Sequence, residues 1–420
     1  MPTATPARTG FPVVALTLGA LVAASSAPSP VFPVYQELWG IGAAAVTVVF
    51  AVYAAALLVA LLTVGALSDH LGRRRVVLVA LLGVIASMLV LARADGVGWL
   101  VAGRVLQGFS TGTAIGALGA WLLDLAGPAR SATAQLVNGA TPPVGLMVGG
   151  LGSGLLVQFA PAPTELVYLV LAGLLALAAV GTALTPDVVE RVPGALASLK
   201  PVVRLPAASR AAFTTYLPGF LGSWGLGGLC MGLGPSVVAG VLGIHDHVAG
   251  GLVVAAVAGV GAVTGVLTRH VAPARVMTLG MATLVVGPVL LALGVHAVST
   301  PLFFAGALVA GIGFGAGFQG ALRGVLATAP AHERAGVLAA VYVVSYLVFG
   351  VPAVVAGLLA TRIGLSEVVT GYAGLVVLAG VAGLLLGRAE RRRAAAGVPA
   401  PRRPAPAGSP LEGSGPAPRG

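Results

Sequence analysis

Residues 65–76 read GALSDHLGRRRV, and residues 265–276 read GVLTRHVAPARV. Set 200 positions apart, the two stretches share Gly, Leu, His, Arg and Val, five of twelve positions. Each is a short polar break between two long apolar runs. Each joins the second and third run of its half of the chain. The same loop recurring at a fixed distance marks an internal repeat. The first runs of the halves echo each other more faintly, with Pro28-Ser29 and Pro235-Ser236 near their far ends. Between the copies lies the longest internal polar break, residues 186–210. It carries Asp187, Glu190, Arg191, Lys200, Arg204 and Arg210 among four prolines.

The apolar runs decide what the repeat is made of. Hydrophobic residues are 58% of the 420 and charged residues 8%, against about 25% charged in a typical soluble domain. Mean hydropathy is +1.02. So few charges cannot cover a water-exposed surface, and so apolar a body cannot be disordered. The chain is read as an integral membrane protein. Lipid admits only helices and closed barrels, because every backbone polar group needs an internal partner. The runs are unbroken and about 20 residues long, the length of a spanning helix, without the alternation of a barrel strand. Twelve spans are expected, at 11–34, 41–66, 76–94, 98–123, 132–159, 166–185, 211–242, 248–268, 276–297, 301–322, 335–360 and 366–388. The 62 glycines suit helices that pack closely in lipid. Span 11–34 follows Arg8 and ends in small residues, like a signal peptide, but Pro28 at the cut site and eleven further spans favour a first helix.

Basic residues orient the spans. With the amino terminus inside, only Arg93 and Arg362 fall outside and Arg104 falls within a span, leaving 20 of the 23 Lys and Arg on the cytoplasmic side. The outer loops carry Glu37, Asp95, Glu165, Asp246 and Glu367. The net charge of +11 is thus read as topology. A nucleic-acid partner is not expected, since no soluble basic face is present. The layout is an all-α membrane protein of two pseudo-symmetric six-helix bundles: residues 1–185, a cytoplasmic loop 186–210, and residues 211–388. Residues 389–420, rich in Arg, Pro, Ala and Gly, read as a disordered basic tail on the cytoplasmic side. Cys230 is the one cysteine, which excludes an internal disulfide and leaves a packing role.

Loop 65–75 resembles the signature of the major facilitator superfamily, G-x-L-a-D-r-x-G-r-k-x-x, at its glycines, leucine, acid and basic run. The twelve spans, the repeat and the loop position agree with that family over residues 11–388. The resemblance implies a conformational latch on Gly65, Asp69, Gly72, Arg73 and Arg75, with Asp124 pairing with Arg130 or with the Asp69 cluster. Asp69 is expected to meet the start of the eleventh helix near residues 333–336, where an acid is favoured by the helix dipole. A purely topogenic loop is the plainer reading. In the second copy Arg269 replaces the acid, so the latch is expected to be asymmetric.

Gly103-Arg104-Val105-Leu106-Gln107-Gly108 resembles the family's helix-four signature R-x-x-Q-G, associated with proton coupling. Arg104 is the one intramembrane charge, and burying it is costly unless it is partnered; otherwise it snorkels to the interface from near Trp99. Residues 139–154 resemble the Gly- and Pro-rich helix-five signature of the superfamily's exporters. Their prolines precede Gly145, unlike the usual order. Pro142, Pro143, Gly145, Gly149 and Gly150 are expected to form a hinge, or else a tight packing surface.

The central cavity of such a fold is lined chiefly by the first and fourth helix of each half. That nominates Ser25, Ser26, Ser29, Arg104, Gln107, Ser110, Thr111, Tyr216, Trp224, Met231, Phe314, Phe318 and Gln319, with Asn138, Tyr342 and Tyr346 from helices five and eleven. The expected reading is a secondary transporter working by alternating access, a proton-coupled exporter in the cell membrane, acting on a small amphipathic or hydrophobic organic compound. A proton-linked importer or a uniporter is the alternative. No carboxylate lies deep in a span, so proton coupling would use Glu37, Asp69, Asp124 or a shift around Arg104. The expected partners are the substrate, protons and the bilayer; the chain is expected to be monomeric, with no cofactor and no metal. Gly108-Phe-Ser-Thr-Gly112 imitates a hydrolase elbow, but inside an apolar helix, so no enzyme is expected. Gly311–Gly317 lacks the strand and lysine of a nucleotide loop. His245-Asp246-His247 reads as an ordinary outer loop.

Overall fold

The computed structural model describes residues 5–187 and 192–395. They form helices throughout, with no strand among them. The twelve long helices are α1 (Thr5–Ser26), α2 (Ala43–Thr63), α3 (Arg73–Ala92), α4 (Val97–Ala126), α5 (Ser131–Phe159) and α6 (Pro163–Leu184) in the first half. The second half has α7 (Ala207–Gly232), α8 (His247–Leu267), α9 (Pro273–His296), α10 (Thr300–Leu326), α11 (Arg334–Ile363) and α12 (Leu365–Ala395). Eleven helical segments are long and apolar enough to cross a membrane. The remaining one, α7, is 26 residues long, but its glycines and polar aromatics dilute its hydropathy.

Three expected boundaries move. Span 11–34 is not one helix. α1 ends at Ser26, because Pro28 has no N–H to continue it. The chain turns through Ser29–Val31 and resumes as a short helix, Phe32–Trp39. Gly40, at φ +62, closes that helix in the left-handed region. The second half breaks in the same way: α7 ends at Gly232 and the chain resumes at Gly234–Gly240, with Pro235 in its first turn. The last helix continues through Ala395, so residues 389–395 of the expected disordered tail are helical. Residues 396–420, and Glu190 and Arg191 of the central loop, lie outside the described residues.

The repeat is visible in the packing. Within the first half α1 packs on α4, α5 and α6, α2 on α4, and α3 on α4 and α6. Adding six to each number gives the pairings of the second half. Two seams join the halves, α2 with α11 and α5 with α8, and they exchange under the same operation.

Small residues set these distances. On α9, Gly280, Gly287 and Gly294 recur every seven residues, as do Gly306, Gly313 and Gly320 on α10. They run antiparallel. A Cβ at Gly287 would lie 2.5 Å from the backbone nitrogen of Ala310, and one at Gly306 would lie 2.6 Å from that of Leu291. The backbones touch along the whole pair, which is how glycine stabilises helix association in lipid.

Candidate functional site

The break in α1 creates the first polar cluster. Pro28 cannot donate to the carbonyl of Ala24, four residues earlier, so that oxygen needs another partner. Gln107 Nε2 of α4 donates to it at 2.7 Å. Arg104 Nη1 donates to the Ser25 carbonyl at 3.2 Å and to Gln107 Oε1 at 2.6 Å. Ser153 Oγ of α5 donates to the Ala27 carbonyl at 2.6 Å. The guanidinium carbon lies 4.1 Å from the centre of the Tyr53 ring, within cation–π range. Tyr53 in turn donates to Ser25 Oγ at 2.7 Å. Arg104 is 2% exposed, so it does not snorkel. Its partners are the Ser25 carbonyl, the Gln107 amide and the Tyr53 ring, with no carboxylate. The group ties α1 to α4, and its Nε has no partner.

Aromatic residues form a second cluster. Trp224 of α7 packs edge-on against Phe318 of α10 at 5.7 Å, Tyr346 of α11 at 4.7 Å and Phe349 at 5.6 Å. Tyr342 stands 6.3 Å from Tyr346. Phe50 of α2 reaches across the seam to Phe349 at 4.7 Å. Trp224, Phe318, Tyr342 and Tyr346 are only half-buried. The predicted Trp224, Phe318, Tyr342 and Tyr346 thus come together. Phe50 and Phe349 were missed, although Phe349 lies one helical turn after Tyr346.

Other nominated residues are placed elsewhere. Ser110 is buried where a Cβ on Gly83 of α3 would strike it, so it faces α3 and not a cavity. The Asn138 amide lies against Gly119 of α4. Ser26 donates to the Leu146 carbonyl at 2.9 Å, joining α1 to α5. Gln319 lies against Gly265 of α8. Asp246, between the two histidines, caps α8 by accepting from Val248 N at 2.8 Å.

α5 runs unbroken through Pro142 and Pro143. Its glycines divide between two faces. Gly145 and Gly149 lie against Gly19 and Ala23 of α1, while Gly150 and Gly154 lie against Gly251 of α8. The second face is the seam between the halves.

The contacts across both seams gather at the end away from the basic loops. Ser236 Oγ donates to Gln36 Oε1 at 2.8 Å, and His247 N to Gln158 Oε1 at 2.9 Å. Gly350 of α11 packs on Ala51 of α2, and Gly357 on Thr47. At the basic end α5 parts from α8 and α10. A cavity of about 270 Å³ opens there, with Gln135 on one side and Arg269, His270, Gln319 and Arg323 on the other.

The loop before α3 sits at that same end. Gly72, at φ +94, takes a conformation that favours glycine. Asp69 forms an ion pair with Arg73. Arg73 Nε donates to Asp124 Oδ2 at 3.1 Å, its Nη1 to Ser68 Oγ at 2.6 Å, and its backbone N–H to Asp187 at 3.3 Å. Asp124 therefore joins the Asp69 cluster and not Arg130. Among the described residues neither Arg75 nor Arg130 makes an ion pair. The contact of Asp69 with the start of α11 is not formed; Gly336 there packs on Arg204 of the central loop.

The family model described as Major Facilitator Superfamily matches residues 14–351. No curated protein matches the chain significantly. Among solved structures, a bacterial homologue of the human lysosomal transporter Spinster, inward-facing and unoccupied, aligns with a TM-score of 0.71 at 12% identity, over 93% of this chain and 98% of that one. The nucleoside transporter NupG gives a TM-score of 0.66 at 14% identity, over 91% and 99%. The human organic anion transporter MFSD10 (TETRAN) gives 0.64 at 19% identity, over 90% and 99%. At these identities the likeness is one of fold.

Proposed function

We infer, on the premise that this chain belongs to the major facilitator superfamily and is a multi-pass transporter, that it exports a small amphipathic or hydrophobic organic compound from the cytoplasm by alternating access, exchanging it for protons. The observation that carries the substrate class is the half-buried aromatic cluster around Trp224. Aromatic rings offer large apolar area with few fixed polar demands. With the basic end placed in the cytoplasm, the contacts at the far end of both seams correspond to a state closed outside and open inside. Rocking of the halves about α2–α11 and α5–α8 would reverse this.

One observation favours uniport as the second reading. Every acid among the described residues sits at a helix end or in a loop, and Arg104 has no carboxylate partner. Protection of an efflux-deficient bacterial host against a panel of toxic organic compounds tests the proposal. Protection by the wild type, lost in Asp69→Asn and on adding a protonophore, is the expected result. Protection that survives the protonophore selects uniport. No protection across the panel, with the protein present in the membrane, overturns export.

A further inference from the structure

We propose that the cleft between α5 and α8–α10 binds the anionic group of the substrate, a carboxylate or sulfonate on an apolar body, and that this negative charge is what lets the basic end close. The proposal rests on the transport reading above and narrows its substrate class to organic anions.

The lining of the cleft is one-signed. Arg269, His270 and Arg323 face it, with the amides of Gln135 and Gln319, and no acid is among its lining residues. Arg323 is fixed: its Nη1 donates to the Arg269 carbonyl at 2.7 Å and its Nη2 to the Val271 carbonyl at 3.1 Å. It thereby covers the last carbonyls beyond α8, the negative end of that helix. Arg269 Nε donates to His270 Nε2 at 2.8 Å, so that ring nitrogen accepts and the imidazole orients the guanidinium, whose terminal nitrogens are the donors offered to an anion. Gln319 stands one turn before Arg323 on α10 and next to Phe318 of the aromatic cluster. One helix therefore joins the polar cleft to the apolar cage, as a molecule with an anionic end and an aromatic body requires.

Closure of the cleft brings these charges together. α5 and α8 touch at Gly150, Gly154 and Gly251 and part toward the basic end. Bringing their inner parts together moves Arg130, which directly precedes α5, toward Arg269 and Arg323. The basic side chains then approach with no acid among the residues lining the cleft, and like charges closing in a poorly hydrated gap repel. A bound anion reverses the sign of that interaction.

The test uses purified full-length protein and amphiphiles matched in threes: 2-naphthylacetate, 2-naphthylacetamide and 2-(2-naphthyl)ethylammonium, and the phenylbutyl equivalents. Binding is read as a thermal-unfolding shift, and flux in proteoliposomes. The anions are expected to stabilise the protein and the other members not. Arg269→Gln and His270→Gln are expected to weaken anion binding, with about a tenfold loss for Arg269→Gln. Arg362→Gln, at the far end of α11, is expected to leave binding unchanged. Arg323→Gln also uncovers α8 and so is scored only if its unliganded stability is retained. Equal or better binding of the neutral or cationic members, anion binding indifferent to Arg269→Gln, or no binding by any member overturns the proposal. Flux of neutral or cationic members alone keeps transport and rejects the anion site. Anion binding without flux does the reverse.

Discussion

Gln107→Leu isolates the bond that holds the broken end of α1. The change keeps side-chain volume and removes both polar atoms. Two bonds go: the donation to the Ala24 carbonyl at 2.7 Å, and the acceptance from Arg104 at 2.6 Å. A neutral buried bond contributes about 0.5–1.5 kcal/mol and one to a charged group about 1.5–3 kcal/mol. Both lie where water does not replace them, since Gln107 and Arg104 are buried. The expected loss is about 2–4.5 kcal/mol, read from equilibrium unfolding in mixed micelles by helical circular dichroism. Adding Arg104→Met removes the cation that Gln107→Leu leaves short of partners. The double variant should then be less destabilised than the sum of the singles, by about 1.5–3 kcal/mol, the value of the bond the two side chains share. A loss below about 0.5 kcal/mol for Gln107→Leu, or additivity within about 0.5 kcal/mol, would mean that these two bonds do not hold α1 to α4.

Four further outcomes are expected. Gly287→Ala forces a methyl to within 2.5 Å of Ala310 N and should cost about 1–3 kcal/mol, whereas Gly374→Ala, with open space around its Cβ, should be neutral or slightly stabilising in the same unfolding assay. A cysteine pair at Ala51 and Gly350, where Cβ atoms would stand 3.6 Å apart, falls within disulfide range. Its oxidation should abolish flux and its reduction restore it, while the buried Cys230 stays silent. Asp69→Asn loses a half-exposed ion pair and should change stability by less than about 1 kcal/mol, yet lower proteoliposome flux severalfold. Trp224→Ala should weaken binding of an aromatic substrate about tenfold in a direct titration, with Trp224→Phe keeping most of it.

The sequence carried the spans and the repeat, because each is a local pattern of apolar length; the Pro-Ser pairs were legible as part of the repeat, but spans 11–34 and 211–242 read as unbroken, and the structure breaks both there. It also brought Trp224, Phe318, Tyr342 and Tyr346 into one list, since aromatic residues on facing helices of a known layout are legible as types. What it did not carry was pairing. Arg104 looks like a charge in need of a counter-ion, yet it bonds the Ser25 carbonyl of α1 and the Gln107 amide, and a backbone carbonyl has no sequence signature. Ser110 and Asn138 are polar residues on cavity-lining helices whose rotation about the axis turns them to α3 and α4. Asp124 lies within six residues of Arg130 in the chain, but Arg73, 51 positions away, takes it. Glycines on α5 were legible as small; that they serve α1 on one face and α8 on the other was not.

Those pairings expose where the two halves stop being copies. The backbone repeats: the same helices meet, the same first helix breaks, and the same loop turns at the basic end. The charges do not. Asp69 of the first loop corresponds to Arg269 of the second, and the acid near the end of α4, Asp124, has the cation Arg323 near the end of α10. Each loop is nevertheless clamped to its neighbouring helix, by a carboxylate holding Arg73 in one half and by a guanidinium holding backbone carbonyls in the other. Since either sign can serve as a clamp, the clamp does not select the sign. What the sign does change is local: Asp69 is paired with Arg73, whereas Arg269 faces the cleft beside α5 with no acid among the lining residues. A transporter whose halves were electrically identical would treat an incoming charge alike on both sides of the cleft. This one offers an anion a single wall to bind, and requires that anion before the wall can meet α5.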